Sequence, residues 1–258
     1  MDNLRILITN DDGVGAPGLK ALEFIARSLS DDVWIVAPEY DQSAVSHSLT
    51  LRTPLRITEL SKLKYAISGT PTDCVLAAVQ LLMADNLPDL VLSGVNNGAN
   101  LAEDVTYSGT VAAALEATIL GIPAVAFSLT TENRQPVKWA TAEHWGAIVL
   151  DKILKSSIPK DVLINVNFPN VIHNSVEDIK ITRQGQRKIF DRIYEREDPR
   201  GVSYYWIGPG DQRYDNIWKF AELGTDIEAI GKKCISVTPL SIDMTHNKTF
   251  ERLKECFQ

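Results

Sequence analysis

Two adjacent carboxylates, Asp11 and Asp12, follow the short apolar run Arg5-Ile-Leu-Ile-Thr9 and are closed by Gly13. Taken alone, an Asp-Asp-Gly triplet is an ordinary solvated turn. Directly after a buried strand it needs another reason. Two carboxylates held together in a partly buried turn repel, and one is driven toward its neutral form unless a cation compensates. Two further loops succeed strand-like runs. Val33-Trp-Ile-Val-Ala37 leads to Asp41-Gln42-Ser43, and Asp89-Leu-Val-Leu92 leads to Ser93-Gly94-Val95-Asn96-Asn97-Gly98. Ligands of open parallel sheets bind beyond the carboxyl ends of the strands, so the three loops are expected to meet. Together they offer two carboxylates, a hydroxyl and amide oxygens, with no His or Cys partner. Such hard oxygen donors suit Mg²⁺, Mn²⁺ or Ca²⁺ better than Zn²⁺.

Tyr107-Ser108-Gly109-Thr110 opens an Ala-rich helical stretch. A helix N-terminus presents free N–H groups and the positive end of a dipole, so small hydroxyl residues there can cradle a phosphate. The simpler reading is that Ser108 only caps the helix. A competing motif, Gly13-Val-Gly15-Ala-Pro-Gly18, has dinucleotide-binding spacing, with Glu39 in place for a ribose. That NAD-dependent oxidoreductase reading has no use for Asp11 and Asp12, which would repel a pyrophosphate. Of the four histidines, His47 lies near the expected site. His246, close to the C-terminus, could reach it only through tertiary or subunit packing. Either could serve as a general acid.

The elements that must hold these groups alternate between strand and helix. Leu19, Leu22, Ile25, Ala26 and Leu29 recur at helical spacing. Leu49 to Ile57 and Tyr65 to Ser68 read as extended. Thr70-Pro-Thr-Asp73 reads as a capped helix start. Ser108 to Leu120 forms a helix ended by Gly121 and Pro123, Ala124 to Phe127 a strand, Val137 to Leu154 a helix and Val162 to Val166 a strand. This rhythm predicts a mainly parallel sheet covered on both faces. Ile179 to Arg183 and Ile235 to Thr238 also read as extended, and Asn247 to Phe257 as a closing helix with Phe250, Leu253 and Phe257 on one face. Between Gln184 and Lys219 the chain is polar, aromatic and without period, consistent with a protruding hairpin that buries Tyr204, Tyr205 and Trp206 against another subunit.

The balance of 26 basic and 33 acidic residues, net −7, argues against broad binding to nucleic acid or an anionic membrane. It leaves room for a small anionic substrate if a metal supplies positive charge. Three cysteines without metal spacing, no leader-like start and no long apolar run lead to the expectation of a cytoplasmic protein with reduced thiols.

These motifs resemble the SurE family, the survival-protein-E nucleotidases. The resemblance begins at Ile8-Thr-Asn-Asp-Asp-Gly13 and runs through Ala37-Pro38, Gln42-Ser43, His47-Ser48 and Gly69-Thr-Pro-Thr-Asp-Cys74. It continues through Ser93-Gly-Val-Asn-Asn-Gly-Ala-Asn100, Tyr107-Ser-Gly-Thr110, Asn165-Val-Asn-Phe-Pro169, Thr182-Arg-Gln184 and Ser236-Val-Thr-Pro239. It implies a Rossmann-like three-layer α/β core over residues 1–183. A C-terminal hairpin, returning strand and closing helix over 184–258 would be used in homodimers or homotetramers. It also implies a phosphomonoesterase acting on nucleoside 5′- and 3′-monophosphates, in some members on polyphosphate, through one divalent metal, Mg²⁺ or Mn²⁺. The metal ligands would be Asp11, Asp12, Ser43 and Asn96. Phosphate contacts would come from Ser108, Gly109 and Thr110, with Asn100 nearby. His246 and Asp243 match positions of uncertain catalytic role. The chemistry expected is hydrolysis by water that the metal activates, with Asp11 or Asp12 orienting that water. The alternatives are the oxidoreductase, a non-catalytic phosphate sensor and an interaction module built around the aromatic segment.

Overall fold

The computed structural model describes residues 4–131, 136–186, 192–208 and 221–257. Among these, nine strands form one sheet in the order β3-β4-β2-β1-β5-β6-β7-β11-β8. Its centre is parallel: β1 (Ile6–Thr9), β2 (Val33–Pro38), β4 (Lys64–Ile67), β5 (Leu90–Asn97), β6 (Ala124–Leu129) and β7 (Val162–Phe168). β3 (Ile57–Ser61) pairs antiparallel at one edge. At the other, β11 (Ile235–Ser241) runs antiparallel to β7 and carries β8 (Ile179–Ile181). β9 (Arg192–Glu197) and β10 (Ser203–Gly208) make a separate antiparallel hairpin.

Alternation along the strands assigns the two cores. Ile6 and Ile8, Leu90 and Leu92, Val125 and Phe127 face one layer, α1 (Pro17–Arg27) and α4 (Trp139–Leu154). Leu7, Val91, Ala124 and Ala126 face the other, α2 (Pro71–Ala77) and α3 (Gly109–Ile119). Gly18 lets α1 press onto the sheet, since a Cβ there would stand 1.9 Å from the Val95 carbonyl oxygen. The predicted cap of α2 is present. Thr70 accepts the Asp73 N–H, and Asp73 in turn accepts the Thr70 N–H.

Three expectations change. Leu49 to Arg56 is irregular rather than extended, because its side chains find no sheet neighbour and Thr50 and Ser48 bond instead to Asp73 and Thr70. Ser93 to Asn97, expected as loop, prolongs β5 by pairing with β6 again after a register shift. A short helix, α5 (Asp226–Gly231), was not predicted. The closing helix α6 (Asn247–Cys256) buries none of its residues. Within the aromatic segment, residues 187–191 and 209–220 lie outside the described residues. Among the described residues no helix is long and apolar enough to cross a membrane.

Candidate functional site

β1 is the point where strand order reverses, with β2 on one side and β5 on the other. A crevice opens at such a point beyond the carboxyl ends of the strands. The loop after β1 is bound into it from three directions. The Gln42 N–H donates to the Asp11 carbonyl at 2.8 Å, and the Val14 N–H to that of Pro38 at 2.8 Å. From β5, the Asn97 N–H donates to Asp12 Oδ2 at 3.1 Å. From α3, the Thr110 hydroxyl donates to Asp11 Oδ1 at 2.5 Å, and its N–H reaches the same carboxylate. Gly109 makes this approach possible: a Cβ there would stand 2.8 Å from Asp11 Cβ. Gly13, at φ +97°, reverses the chain behind the two carboxylates, helped by Asn10 Nδ2 donating to the Gly13 carbonyl at 2.9 Å.

Asp11 is only 4% exposed. Burial pushes its carboxyl up to about 6, the Thr110 hydroxyl pulls the other way, and the Asp12 charge adds to the rise. Burial also raises Asp12, the Asn97 N–H opposes it, and the Asp41 charge raises it further. Among the described residues, no lysine or arginine is a main cause of either shift. The described residues therefore concentrate negative charge here, with Asp12 raising Asp11 and Asp41 raising Asp12, which fits a cation bound on oxygen.

Ser43 lies exposed on the neighbouring loop, its hydroxyl and amide both bonded to Asp41 Oδ1, at 2.6 and 2.7 Å. Asn96 is half-buried at the end of β5, and its side-chain N–H donates to the Gly98 carbonyl at 3.0 Å. Among the described residues no three His, Cys, Asp or Glu side chains gather as a metal site. The candidate donor set is of another kind: two carboxylates, a hydroxyl and an amide, with Asp41 as an added charge that the sequence did not single out.

The turn read as a phosphate cradle is partly taken. Ser108 Oγ accepts the Val111 N–H at 3.1 Å, the capping role that was the simpler reading, while Thr110 serves Asp11. Asn100 is buried with its side-chain N–H on Ser128 Oγ at 2.8 Å. His47 Nε2 lies 2.8 Å from Glu116 Oε2 on α3.

His246 does not join this cluster within one chain. β11 ends beside the start of β7, where the Ile242 N–H donates to the Asp161 carbonyl. His246 is four residues further, at the N-cap position of α6, with its ring bonded to the Thr249 hydroxyl. That edge is roughly 20 Å from the carboxyl edge, the length of a seven-residue strand. The glycines of the dinucleotide-like motif also have local tasks, Gly13 in the turn and Gly18 under α1.

The family model for survival protein SurE matches residues 6–191. A protein named 5′-nucleotidase SurE from Paramagnetospirillum magneticum is 58% identical over 99% of this chain and 96% of its own length. One of the same name from Parvibaculum lavamentivorans is 51% identical over 98% and 91%. The crystal structure of the SurE protein from Aquifex aeolicus superposes with a TM-score of 0.84 at 39% identity, covering 98% of this chain and 99% of that one.

Proposed function

The chain belongs to the SurE family, and on that premise we propose that it is a 5′-nucleotidase, a phosphomonoesterase acting on nucleoside 5′- and 3′-monophosphates with a divalent metal, Mg²⁺ or Mn²⁺. The observation that supports the metal dependence is the Asp11-Asp12 pair at the strand-order reversal, Asp11 buried and both carboxyls raised, with no basic side chain among the described residues as a main cause of either shift. Asp11, Asp12, Ser43 and Asn96 would hold the ion. A bound divalent cation supplies Lewis acidity, lowering the pKa of water and polarising a phosphoryl oxygen. The chain's own groups do the rest. Thr110 holds Asp11 through its hydroxyl and so orients the carboxylate. The dipole of α3 and the Gly109 amide favour the negative charge of a phosphate and of its transition state. Asp12, less buried than Asp11, is the better placed to orient an attacking water. Asn100 would support the phosphate site from the β5–α3 connection.

A part for His246 as general acid requires a second copy of the chain. The exposed Tyr205, Trp206 and Ile207 of the hairpin, Phe250 and Leu253 of α6 and Phe257 just after it are apolar surface of the kind a second copy covers, which supports a homodimer or homotetramer. Three free cysteines suit a reducing, cytoplasmic setting.

The test is a panel of nucleoside 5′- and 3′-monophosphates, inorganic polyphosphate and NAD⁺, each with Mg²⁺ and with Mn²⁺. Release of phosphate from the monophosphates supports the reading. Turnover or tight binding of NAD⁺ alone would replace it with the oxidoreductase.

A further inference from the structure

β7 is covered by helices on both faces, and such a strand is expected to be apolar throughout. Instead Asn165 and Asn167 alternate with Ile164, Val166 and Phe168, and both asparagines are fully buried. Because the apolar set faces α1 and α4, the asparagines face the α2–α3 side. On β11, Ser236 and Thr238 stand opposite Asn167 and Asn165. The Thr182 hydroxyl lies 2.8 Å from Ser236 Oγ and 2.7 Å from Thr238 Oγ1. Three stretches to which the chemistry gave no task, Asn165-Val-Asn167, Thr182-Arg-Gln184 and Ser236-Val-Thr238, therefore meet on one face of the sheet.

What they hold is the segment after β5. The Asn100 N–H donates to Asn167 Oδ1 at 2.9 Å, and the Asn100 carbonyl accepts from Asn165 Nδ2 at 2.8 Å and from Asn167 Nδ2 at 3.1 Å. Two residues on, the Ala102 N–H donates to Asp226 Oδ2 at 2.9 Å, and the Ala102 carbonyl accepts from Gln184 Nε2 at 2.8 Å. Ala102 adopts φ +50°, a conformation that an alanine leaves unless it is held. Buried backbone polar groups outside a ladder must find side-chain partners. Asn100 and Ala102 find them all in the C-terminal part of the chain. If packing were the only requirement, apolar residues at 165 and 167 would fill β7 as well.

We infer that Asn165 and Asn167, assisted by Gln184, are positioning residues for residues 96–102, setting Asn96 at the mouth of the crevice and the entry of α3 behind Asp11. The inference rests on the proposed reading of Asn96 as a ligand. It also gives the second half of the chain a part in a site whose proposed metal ligands all come from the first half.

The test compares Asn165→Ser, Asn167→Ser and Gln184→Ala with the parent and with Val149→Ala, a core truncation on the opposite face. Gln184 is at the surface, so its variant probes the same loop without risk to the fold. Three quantities are read: amide hydrogen exchange at residues 98–102 in metal-free protein, Mn²⁺ binding by calorimetry with the metal alone, and kcat against KM for AMP. The expected result is faster exchange confined to 98–102, Mn²⁺ binding weakened about tenfold or more, and a fall in kcat larger than any rise in KM. Val149→Ala should lower the melting temperature and change none of the three. If the variants match the parent in exchange and Mn²⁺ binding, or differ only as Val149→Ala does, the positioning role is overturned. If the parent itself neither binds Mn²⁺ nor hydrolyses AMP, the metal reading is what fails, and the exchange result still decides whether the clamp exists.

Discussion

Asp11 is a carboxylate kept where a carboxylate is destabilising. Its folded pKa lies at about 6 against an ordinary 3.8. The folded state thus holds the proton more tightly than the unfolded chain, and the stability of metal-free protein falls as pH rises between those two values. Above about 6 the full penalty is present, roughly 1–3 kcal/mol. Asp11→Asn removes the charge and keeps the shape. In urea unfolding at neutral pH the metal-free variant is expected to be the more stable protein by that order, with the difference vanishing below 3.8. A variant less stable than its parent at neutral pH would contradict burial as the cause. If Mn²⁺ is held by Asp11 in the folded state alone, as proposed, it should raise the melting temperature of the parent and leave Asp11→Asn where it was. The same residue that weakens the fold is then the one that gives the crevice its cation.

At the scale of elements, the site depends on how closely α3 and α1 approach the sheet. Gly109→Ala should test the first. Alanine is the better helix former by about 1 kcal/mol in a helix interior, but its Cβ would meet Asp11 Cβ at 2.8 Å. The expected outcome is a folded protein with Mn²⁺ affinity and turnover at least tenfold lower. Unchanged affinity would mean that Asp11 has room to move. Gly18→Ala tests the second and should cost stability on the order of 2–4 kcal/mol, since the Val95 backbone cannot yield to a Cβ at 1.9 Å; a thermal melt within a degree or two of the parent would refute that. Much of this framework is legible in the sequence. β1, β2, α3 and β7 announce themselves by apolar runs and caps, and Asp11, Asp12 and Asn96 stand out as candidates by their places just past the apolar runs. The parts that are not legible depend on contacts between distant residues. Ser93 to Asn97 looks like a loop because its residues are small and polar, yet β6 pairs with it. α5 is short, and only Thr225 with Glu228 three residues on marks its start. Thr110 reads as a phosphate ligand until Asp11, 99 positions away, is seen to accept from it. Asn165 and Asn167 read as strand residues whose purpose is visible only once Asn100 lies beside them.

At the scale of the whole molecule, the described residues leave apolar surface exposed. α6 lies wholly exposed with Phe250 and Leu253 half-exposed and Phe257 largely so, and the hairpin displays Trp206 and Ile207. Light scattering is expected to give the mass of a dimer or tetramer, and Phe250→Ser with Leu253→Ser to shift it downward. A parent that runs as a monomer at micromolar concentration would remove the proposed role of this surface. His246, left at the amino edge of its own sheet, would then have no route to any crevice. The proposed chemistry turns on two carboxylates and the cation they imply. Its most direct test is phosphate release from AMP by chelator-treated protein, before and after Mn²⁺ or Mg²⁺ is returned. The expected outcome is no release after chelation, recovery in the parent on adding metal, and no recovery in Asp11→Asn. Equal release with and without chelator, or an Asp11→Asn variant that turns over AMP like its parent, would contradict it.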